Sequence, residues 1–293
     1  MRNEKIIVSL TTWKPRIGNI PTVLDTIFKQ TKIPDKVVLN LSFDENIPGE
    51  VQNYLDCHNV EVFRVADTKV YKKLIPTLLR YPDDCIISID DDFLYPETMI
   101  EDFWKAHLRF PDFPISGNTI VLFGMQCHCG CASLTKADFF GEYLPMIDNT
   151  LMENCLSDDI VYTFLSTKNH HPYLRSKCLY FDNMESYNPA DSYTESNLKQ
   201  GIVGNSYTYL TKRFGRISPC DVLFGYSEYD NIFDTIKDIG IYHYMEVCKS
   251  TYSYRIGYAL LSPFIFIRKK LLLCKRSLRR FVVRIIQSTF AGA

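Results

Sequence analysis

Three consecutive aspartates, Asp90, Asp91 and Asp92, have the clearest chemical potential in this sequence. They directly follow the apolar run Cys85–Ile89, which is typical of a buried strand. Neighbouring carboxylates repel one another and raise each other's pKa unless a cation relieves them. Mg²⁺ and Mn²⁺ bind to one or two carboxylates together with substrate phosphates. The triplet therefore predicts a divalent metal site for a phosphorylated substrate.

Acids after a strand have a second common use, which is to cap the next helix. One aspartate would be enough for that purpose, so three in a row favour the metal site. Aspartate clusters of this kind also occur in phosphatases and nucleases. The triplet by itself therefore leaves the reaction open.

Alternating strands and helices must position the triplet. Compact β-rich runs predict strands at 5–10, 36–41, 60–65 and 84–89. Helical spacing of apolar residues predicts helices at 20–30, 50–57, 70–80 and 97–108. This order predicts an α/β fold of Rossmann-like type, with a mostly parallel sheet flanked by helices.

Ligands of such sheets bind beyond the carboxyl ends of the strands. Polar segments follow each predicted strand, at 11–16, 42–45, 66–67 and 90–92. We therefore expect the binding site at this edge, with Asp67 among its residues. Beyond residue 111 the pattern loosens: it predicts a strand at 119–125, helices at 135–141 and 157–167, and an irregular acceptor-side region at 185–212.

A second acidic pair, Asp158 and Asp159, opens the predicted helix at 157–167. A carboxylate at the start of a helix could act as a general base for a bound substrate. Ser157 or Asp158 could instead cap the helix. The two roles are compatible, because capping occupies one acid and leaves the other free.

Three blocks resemble the bacterial surface-polysaccharide glycosyltransferases with a GT-A fold. Residues 7–17, IVSLTTWKPRI, are similar to the family's opening strand and nucleotide loop. Residues 71–96 are similar to its lysine-bearing helix followed by the DxD motif, and 157–161 to the acidic pair of its acceptor side. The resemblance covers roughly the first 170 residues and implies an inverting, metal-dependent hexosyl- or N-acetylhexosaminyltransferase of family-2 type.

The resemblance also implies a role for each matching residue. On the donor side it places Thr11 and Arg16 near the nucleotide, and Lys72 or Lys73 near the diphosphate. Asp90 would face the ribose side and, with Asp92, the Mn²⁺ or Mg²⁺ ion, while Asp91 would complete the nucleotide site. Asp158 or Asp159 would be the general base. The implied partners are a nucleoside-diphosphate sugar, with UDP-sugars favoured, and a lipid-linked or growing glycan acceptor.

Other functions remain to be separated from this one. A sugar nucleotidyltransferase would share the fold, but its glycine-rich basic loop is poorly matched by residues 9–18, which contain one glycine. A non-catalytic, membrane-bound glycan-binding protein is a further alternative.

The run 125–131, MQCHCGC, could suggest zinc, but structural zinc sites usually have C-x₂₋₄-C pairs. We favour a small-residue loop that lines the site.

The charge distribution separates a basic tail from an acidic body. Ten basic and no acidic residues lie in 247–293, whereas 1–246 contain 23 basic and 34 acidic residues. Apolar residues interleave with these cations, which predicts an amphipathic helix on an anionic membrane surface. A terminal helix packed on the domain is the alternative. Nucleic acid is not expected as a partner, since the body is acidic and has no known binding module.

Composition and these boundaries define the expected organisation. The chain has 293 residues, 46% of them hydrophobic, and ten cysteines, which we interpret as free thiols in a reducing cytoplasm because no signal peptide is evident. We predict a GT-A domain over 1–245, with a nucleotide-binding half at about 1–110 and an acceptor half at about 111–245. The tail would span 246–293 and hold the protein peripherally at the cytoplasmic face of the inner membrane.

Overall fold

The structure is a computed structural model that describes residues 4–123, 125–175, 185–186, 201–218 and 221. The chain divides after Tyr244, and every described residue belongs to the first unit, Met1–Tyr244. The predicted basic tail therefore lies outside the described residues. Within the described part, no helix is both long enough and apolar enough to cross a membrane.

Strands and helices alternate through the first half of the described chain. The strands are β1 (Ile6–Thr11), β2 (Lys36–Ser42), β3 (Glu61–Val65), β4 (Cys85–Ile89), β5 (Phe93–Leu94), β6 (Ile115–Ser116), β7 (Thr119–Leu122), β8 (Met125–His128), β9 (Ala132–Thr135), β10 (Leu174–Arg175) and β11 (Glu185–Ser186). The α-helices are α1 (Ile20–Phe28), α2 (Gly49–Cys57), α3 (Ile75–Arg80), α4 (Met99–Arg109), α5 (Asn149–Asn154), α6 (Asp158–Lys168) and α7 (Ile202–Phe214).

Seven strands form the main sheet, in the order β10-β6-β9-β4-β1-β2-β3. β1 pairs in parallel with β2 and β4, and β2 pairs in parallel with β3. β9 runs antiparallel between β4 and β6. The predicted mostly parallel α/β sheet is thereby confirmed.

Helices cover both faces of this sheet. Side chains of a strand alternate between its two faces. Ile6, Val8 and Leu10 of β1 share one apolar core with residues of α1, α2 and α4. Ile7 packs in a second core with residues of α3, α5, α6 and α7. Because the central strands are buried on both sides, they consist of nearly continuous apolar runs.

Two predictions of secondary structure, for residues 70–80 and 119–125, were wrong in detail. The helix expected at 70–80 is a 3₁₀ helix, Lys69–Lys73, followed by α3, since Leu74 leaves the helical region and Pro76 stands at the start of the new helix. The single strand expected at 119–125 is the hairpin of β7 and β8, with Phe123 in the turn at a φ of 52°.

Two further predictions beyond the hairpin also failed. The helix expected at 135–141 begins as the end of β9 and continues as the 3₁₀ helix Ala137–Phe139. The region expected to be irregular, 185–212, contains most of α7. Leu210 of α7 is fully buried in the second core. Tertiary packing thus forms a helix where the polar composition suggested a loop.

Candidate active site

The aspartate triplet and the loop after β1 meet between two neighbouring parallel strands. β1 has β4 on one side and β2 on the other, so the strand order reverses direction between β1 and β4. Sheets of this kind bind ligands at such a point. The triplet does not cap α4, because β5 intervenes and Thr98 is the N-cap residue of that helix. The capping alternative is therefore excluded for these three acids.

Arg16 binds two acids of the triplet. Its Nη1 atom lies 2.9 Å from Asp91 Oδ1 and 2.9 Å from Asp92 Oδ2. Thr12 donates a hydrogen bond of 2.6 Å to the other oxygen of Asp91. Asp91 is therefore fully engaged by the loop after β1. Among the described residues, Asp92 Oδ1 has no hydrogen-bonding partner, which leaves that oxygen available to a cation.

Lys73 joins the triplet to the acidic pair of α6. Its Nζ atom donates to Asp90 Oδ1 at 2.9 Å and lies 3.3 Å from Asp158 Oδ2. The side chains of Lys73 and Asp158 are each only 11% exposed. A single buried cation thus lies between two acids that the sequence assigned to the donor side and to the acceptor side.

A buried polar network fixes the backbone that carries Lys73. Ser9 Oγ donates to the Lys73 carbonyl at 2.5 Å and lies 2.7 Å from Thr77 Oγ1. Asn40 Nδ2 donates to Ser9 and Thr77 at 3.2 and 3.0 Å. The sequence analysis missed these residues. For Ser9 and Asn40 the signal is a polar side chain inside an apolar strand, which is buried only where it finds a partner.

Two consecutive amides hold the two sides of the site together. Gly130 N donates to Asp159 Oδ2 at 3.0 Å, and Cys131 N donates to Asp90 Oδ2 at 2.9 Å. Both residues have a positive φ, of 56° and 61°. This conformation is uncommon for cysteine, and such strain is concentrated at functional sites.

The cysteines of the same loop do not gather into a metal site. No grouping of Cys127, His128, Cys129 and Cys131 within ligand distance occurs in the described residues. The loop therefore acts through its backbone amides, and the zinc alternative has no support.

Tyr95 anchors the start of the triplet. Its buried hydroxyl accepts from the Asp90 amide at 2.8 Å and lies 2.8 Å from the Cys131 carbonyl. Tyr95 thereby connects the chain after β4 to the chain before β9. The sequence analysis included Tyr95 in the block 71–96, which resembles the glycosyltransferase family, but gave it no role.

Carboxylates outnumber cations in this cluster. Burial raises the pKa of Asp92 to about 6, and the charges of Asp90 and Asp91 act in the same direction. Burial likewise raises the pKa of Asp158 to about 6 against the opposing charge of Lys73. For Asp90, burial acts to raise the pKa, but the charge and hydrogen bond of Lys73 together with the Cys131 amide hold the pKa below its usual range.

A divalent cation would offset this excess of negative charge. Within the described part of the chain, the ion pairs of Asp90, Asp91, Asp92 and Asp158 involve two cations, Lys73 and Arg16. Asp92 fits a metal best because one of its oxygens is unengaged. Both oxygens of Asp90 already accept hydrogen bonds, from Lys73 and from Cys131, so a metal there would replace or share these contacts.

The remaining predicted residues lie in a second group at the ends of β2 and β3. Lys72 Nζ donates to Ser42 Oγ at 2.6 Å and lies 2.9 Å from Asp67 and 3.8 Å from Glu45. Thr11 Oγ1 donates to the Asn40 carbonyl at 2.7 Å. The two neighbouring lysines therefore have separate partners: Lys73 contacts the triplet, and Lys72 contacts the acids beside β2 and β3.

Glu4, Cys85 and His107 form another group at the opposite, amino end of the strands. Their ligand atoms lie within 4.8 Å of one another, and this is the one such group in the described residues. His107 Nε2 is 3.0 Å from Glu4 Oε2, and Lys136 pairs with the other oxygen of Glu4. Because Lys136 already supplies a cation, we interpret the group as a hydrogen-bonded network that ties α4 and β9 to the start of β1.

One solved structure shares the fold over most of both chains. It is a mannosyltransferase from Pyrobaculum calidifontis in complex with GDP-Man and Mn²⁺, with a TM-score of 0.54 and 13% sequence identity. The match covers 89% of this chain and 85% of that one. The chain therefore has a GT-A-like fold.

Two other solved structures are similar to a smaller extent. A 4-diphosphocytidyl-2C-methyl-D-erythritol synthase matches 67% of this chain and 99% of its own, with a TM-score of 0.45 and 14% identity. A glucosyl-3-phosphoglycerate synthase from Mycobacterium tuberculosis matches 39% of this chain and 43% of its own, with a TM-score of 0.31 and 16% identity. No family model matches the sequence, and neither does any curated protein.

Proposed function

We propose that the protein is a metal-dependent glycosyltransferase that moves a sugar from a nucleoside diphosphate to a hydroxyl group of a glycan acceptor. The observation that carries this proposal is the position of Lys73 between Asp90 and Asp158. Lys73 joins the aspartate triplet, a type of cluster that binds metals and phosphates, to the buried acid pair at the start of α6. Both groups lie at the ligand-binding edge of the sheet. A reaction between a diphosphate donor and a hydroxyl acceptor needs a donor-binding group and an acceptor-binding group side by side.

On the donor side, Asp92 would bind the metal through its unengaged oxygen, with Asp90 as the second candidate ligand. Mn²⁺ or Mg²⁺ would supply charge that stabilises the departing diphosphate. Arg16 holds Asp91 and Asp92 in place. Thr11 and the group formed by Lys72 and Asp67 lie at the neighbouring strand ends, where we place the nucleotide.

On the acceptor side, Asp159 is better placed than Asp158 to be the general base. The Asp159 side chain is 26% exposed, whereas Asp158 is 11% exposed and pairs with Lys73. Oδ1 of Asp159 is buried, so Oδ2 is the oxygen that an acceptor can reach. Asp159 would take the hydroxyl proton while the acceptor oxygen bonds to the anomeric carbon and the diphosphate leaves with its bonding electrons. This single displacement inverts the anomeric centre.

The finer identity of the substrates follows the sequence resemblance. It implies a UDP-sugar of the hexose or N-acetylhexosamine class, and a lipid-linked or growing surface polysaccharide as acceptor. A solved structure with a similar fold contains GDP-Man and Mn²⁺, so donors with guanosine diphosphate should be tested beside UDP-sugars. The comparison of these donors identifies the nucleotide base that the site prefers.

The direct test is a thermal-shift screen of nucleotide sugars with Mn²⁺ or with EDTA, followed by product analysis. A ligand that binds only the native state raises apparent stability. We expect a Mn²⁺-dependent shift with one donor class, and loss of that shift in Asp92→Asn. The control Asp56→Asn removes an exposed acid of α2 and should behave as wild type.

Product analysis separates the alternatives. Release of nucleoside diphosphate with sugar on the acceptor supports the proposal. Formation of a nucleotide sugar from a nucleoside triphosphate would identify a nucleotidyltransferase. Binding of a donor without transfer or hydrolysis would identify a non-catalytic binding protein. Either of the last two results would overturn the proposal.

The base assignment has its own test. Asp159→Asn should lower kcat by about 10²–10⁴-fold, the usual contribution of a general base. The donor-induced thermal shift should persist, because Asp159 lies on the acceptor side. Asp158→Asn should cost less. The assignment is wrong if Asp159→Asn keeps full turnover.

We further propose that the basic tail holds the enzyme on an anionic membrane, where a lipid-linked acceptor would be located. Its support is the sequence of 247–293, which combines ten cations with apolar residues and contains no acid. Replacing Arg268, Lys269 and Lys270 with Gln in the full chain should reduce co-sedimentation with anionic vesicles. A matched control replaces Lys5, Lys29 and Lys105, three exposed lysines of the body. Equal recovery of both variants would contradict the proposal.

A further inference from the structure

Glu4, Cys85 and His107 meet at the amino end of the strands, away from the proposed active site. Glu4 precedes β1, Cys85 is the first residue of β4, and His107 lies in the last turn of α4. Cys85 and His107 are 0% and 2% exposed, whereas the Glu4 side chain is 30% exposed. The cluster is therefore buried on the side of Cys85 and His107 and reaches solvent at Glu4.

The distances within this cluster are close to the edges of a zinc coordination tetrahedron. His107 Nε2 lies 3.0 Å from Glu4 Oε2 and 3.4 Å from Cys85 Sγ, and Cys85 Sγ lies 3.8 Å from Glu4 Oε2. Zinc bonds of about 2.0–2.3 Å at tetrahedral angles place such ligand atoms about 3.4–3.6 Å apart. Each pair of atoms is therefore within about 0.4 Å of the separation that a zinc ion requires.

We propose that Glu4, Cys85 and His107 form a Zn²⁺ site that ties the starts of β1 and β4 to α4. Thiolate and imidazole ligands favour Zn²⁺ over Mg²⁺ and Mn²⁺, which prefer oxygen. Three protein ligands leave the fourth tetrahedral position to a water molecule, which can enter beside Glu4. The backbone of the site is held in place, since the Cys85 amide donates to the Lys5 carbonyl at 2.9 Å. This site does not depend on the proposed function.

Lys136 does not occupy the position of the metal ion. It pairs with Oε1 of Glu4, whereas Oε2 is the oxygen that faces Cys85 and His107. In the hydrogen-bonded network, the charge of Lys136 balances the charge of Glu4. A Cys85 thiolate would add the further negative charge that a divalent cation needs. Zn²⁺ can therefore bind on one side of the Glu4 carboxylate while Lys136 stays on the other.

Zinc binding rearranges the protons of the network. Burial raises the pKa of the Cys85 thiol to about 12, and the charge of Glu4 acts in the same direction. Zn²⁺ therefore has to displace this proton, which leaves to solvent as the bond from Sγ to zinc forms. His107 binds through the Nε2 lone pair, so the neutral ring carries its proton on Nδ1. Because Nδ1 has no hydrogen-bonding partner among the described residues, the change of tautomer breaks no hydrogen bond there, although the unpaired Nδ1–H group weakens the site.

Titration with Co²⁺ tests the proposal, because Co²⁺ can replace Zn²⁺ and shows a charge-transfer absorption band when a thiolate binds to it. The full-length protein, reduced and freed of metals with EDTA, should develop this band, and Zn²⁺ should abolish it. Cys85→Ala should lose the band. Cys57→Ala, which removes an exposed thiol at the end of α2, should keep it. A wild-type protein without the band, or a band of equal strength in Cys85→Ala, would overturn the proposal.

A second variant covers the case in which Cys85→Ala fails to fold. Glu4→Gln keeps the shape of a partly exposed side chain and removes the carboxylate. Its affinity for Co²⁺, measured from the thiolate band, should fall at least about tenfold, since even the partners of metal ligands contribute about 10–100-fold. Glu50→Gln, which changes an exposed acid of α2, is the matched control. Equal affinities in these two variants would show that Glu4 is not a ligand and would overturn the site as proposed.

Discussion

Lys73 Nζ donates a hydrogen bond of 2.9 Å to Asp90 Oδ1 from a side chain that is 11% exposed. The same nitrogen atom lies 3.3 Å from Asp158. Burial alone would lower the pKa of Lys73, but the charges of Asp158 and Asp90 keep it well above the usual value. Lys73 is therefore a permanent cation at the centre of the site.

Removing this cation should destabilise the fold. Lys73→Met leaves Asp90 and Asp158 buried without their common partner, and breaking a buried pair typically costs about 3–5 kcal/mol. Urea denaturation at pH 7.5 in EDTA measures the loss. Lys105→Met is the matched control, because Lys105 is 65% exposed and pairs with Glu101 one turn away on α4. Equal stability of the two variants would show that Lys73 is not needed for the cluster.

Stability should depend on pH through Asp158. Its pKa is about 6 in the folded protein, above the ordinary value near 3.9 that we expect for the unfolded chain. The folded state therefore binds this proton more tightly. The resulting stabilisation is fully present below about pH 4 and is lost as the pH rises through about 6.

Asp158→Asn removes this dependence. Relative to wild type, the variant should gain about 2 kcal/mol of unfolding free energy when the pH rises from 4.5 to 7.5 in EDTA. Urea denaturation of both proteins at the two pH values measures the difference, and the comparison cancels the titration of groups that do not interact with Asp158. A constant difference across this range would contradict the assignment.

Tyr95→Phe should loosen the start of the triplet. The substitution removes the hydroxyl that accepts from the Asp90 amide and contacts the Cys131 carbonyl. A buried group left without its partner costs about 1–3 kcal/mol. We also expect weaker Mn²⁺ binding by thermal shift. Tyr81→Phe, which removes a partly exposed hydroxyl bound to Glu61, should leave Mn²⁺ binding unchanged. Equal Mn²⁺ affinity in both variants would refute the anchoring role of Tyr95.

Gly141→Ala should be strongly destabilising. A Cβ atom at Gly141 would lie 2.6 Å from Asn169 Oδ1, and the residue has a φ of 51°. Asn169 cannot move freely, because its amide donates to the Asp138 and Phe139 carbonyls. We expect a loss of at least about 2 kcal/mol in thermal or urea unfolding. Gly49→Ala is the control, since no atom lies within 4 Å of its Cβ position. A Gly141→Ala protein as stable as Gly49→Ala would contradict this account.

The sequence predicted the sheet well because the central strands are buried on both faces and therefore have continuous apolar runs. Their order also located the ligand edge, where Arg16 meets Asp91 and Asp92. The sequence could not show which of the two lysines, Lys72 or Lys73, contacts the aspartate triplet. Adjacent residues of a 3₁₀ helix point in different directions, and the direction of each depends on the contact of Lys73 with Ser9.

The acceptor side was harder to predict because its contacts join distant parts of the chain. His128 and Asp159 come together only when β8 packs on α6, and no local pattern reports that packing. The positive φ of Cys131 has no sequence signal either, since cysteine rarely adopts it. The polar composition of α7 wrongly predicted an irregular region. A few buried residues, Leu210 among them, are enough to pack a polar helix against the domain.

The amides of Gly130 and Cys131 each hold a different acid, Asp159 on one side and Asp90 on the other. The backbone of a single residue, Gly130, separates these two amide nitrogens and thus sets the spacing between the attacking and the leaving halves of the proposed reaction. Covalent bonds, unlike packed side chains, do not stretch when a core loosens. Mutations elsewhere in the domain should therefore lower the amount of folded enzyme first. In the molecules that remain folded, the distance between the acceptor side and the donor side should stay the same.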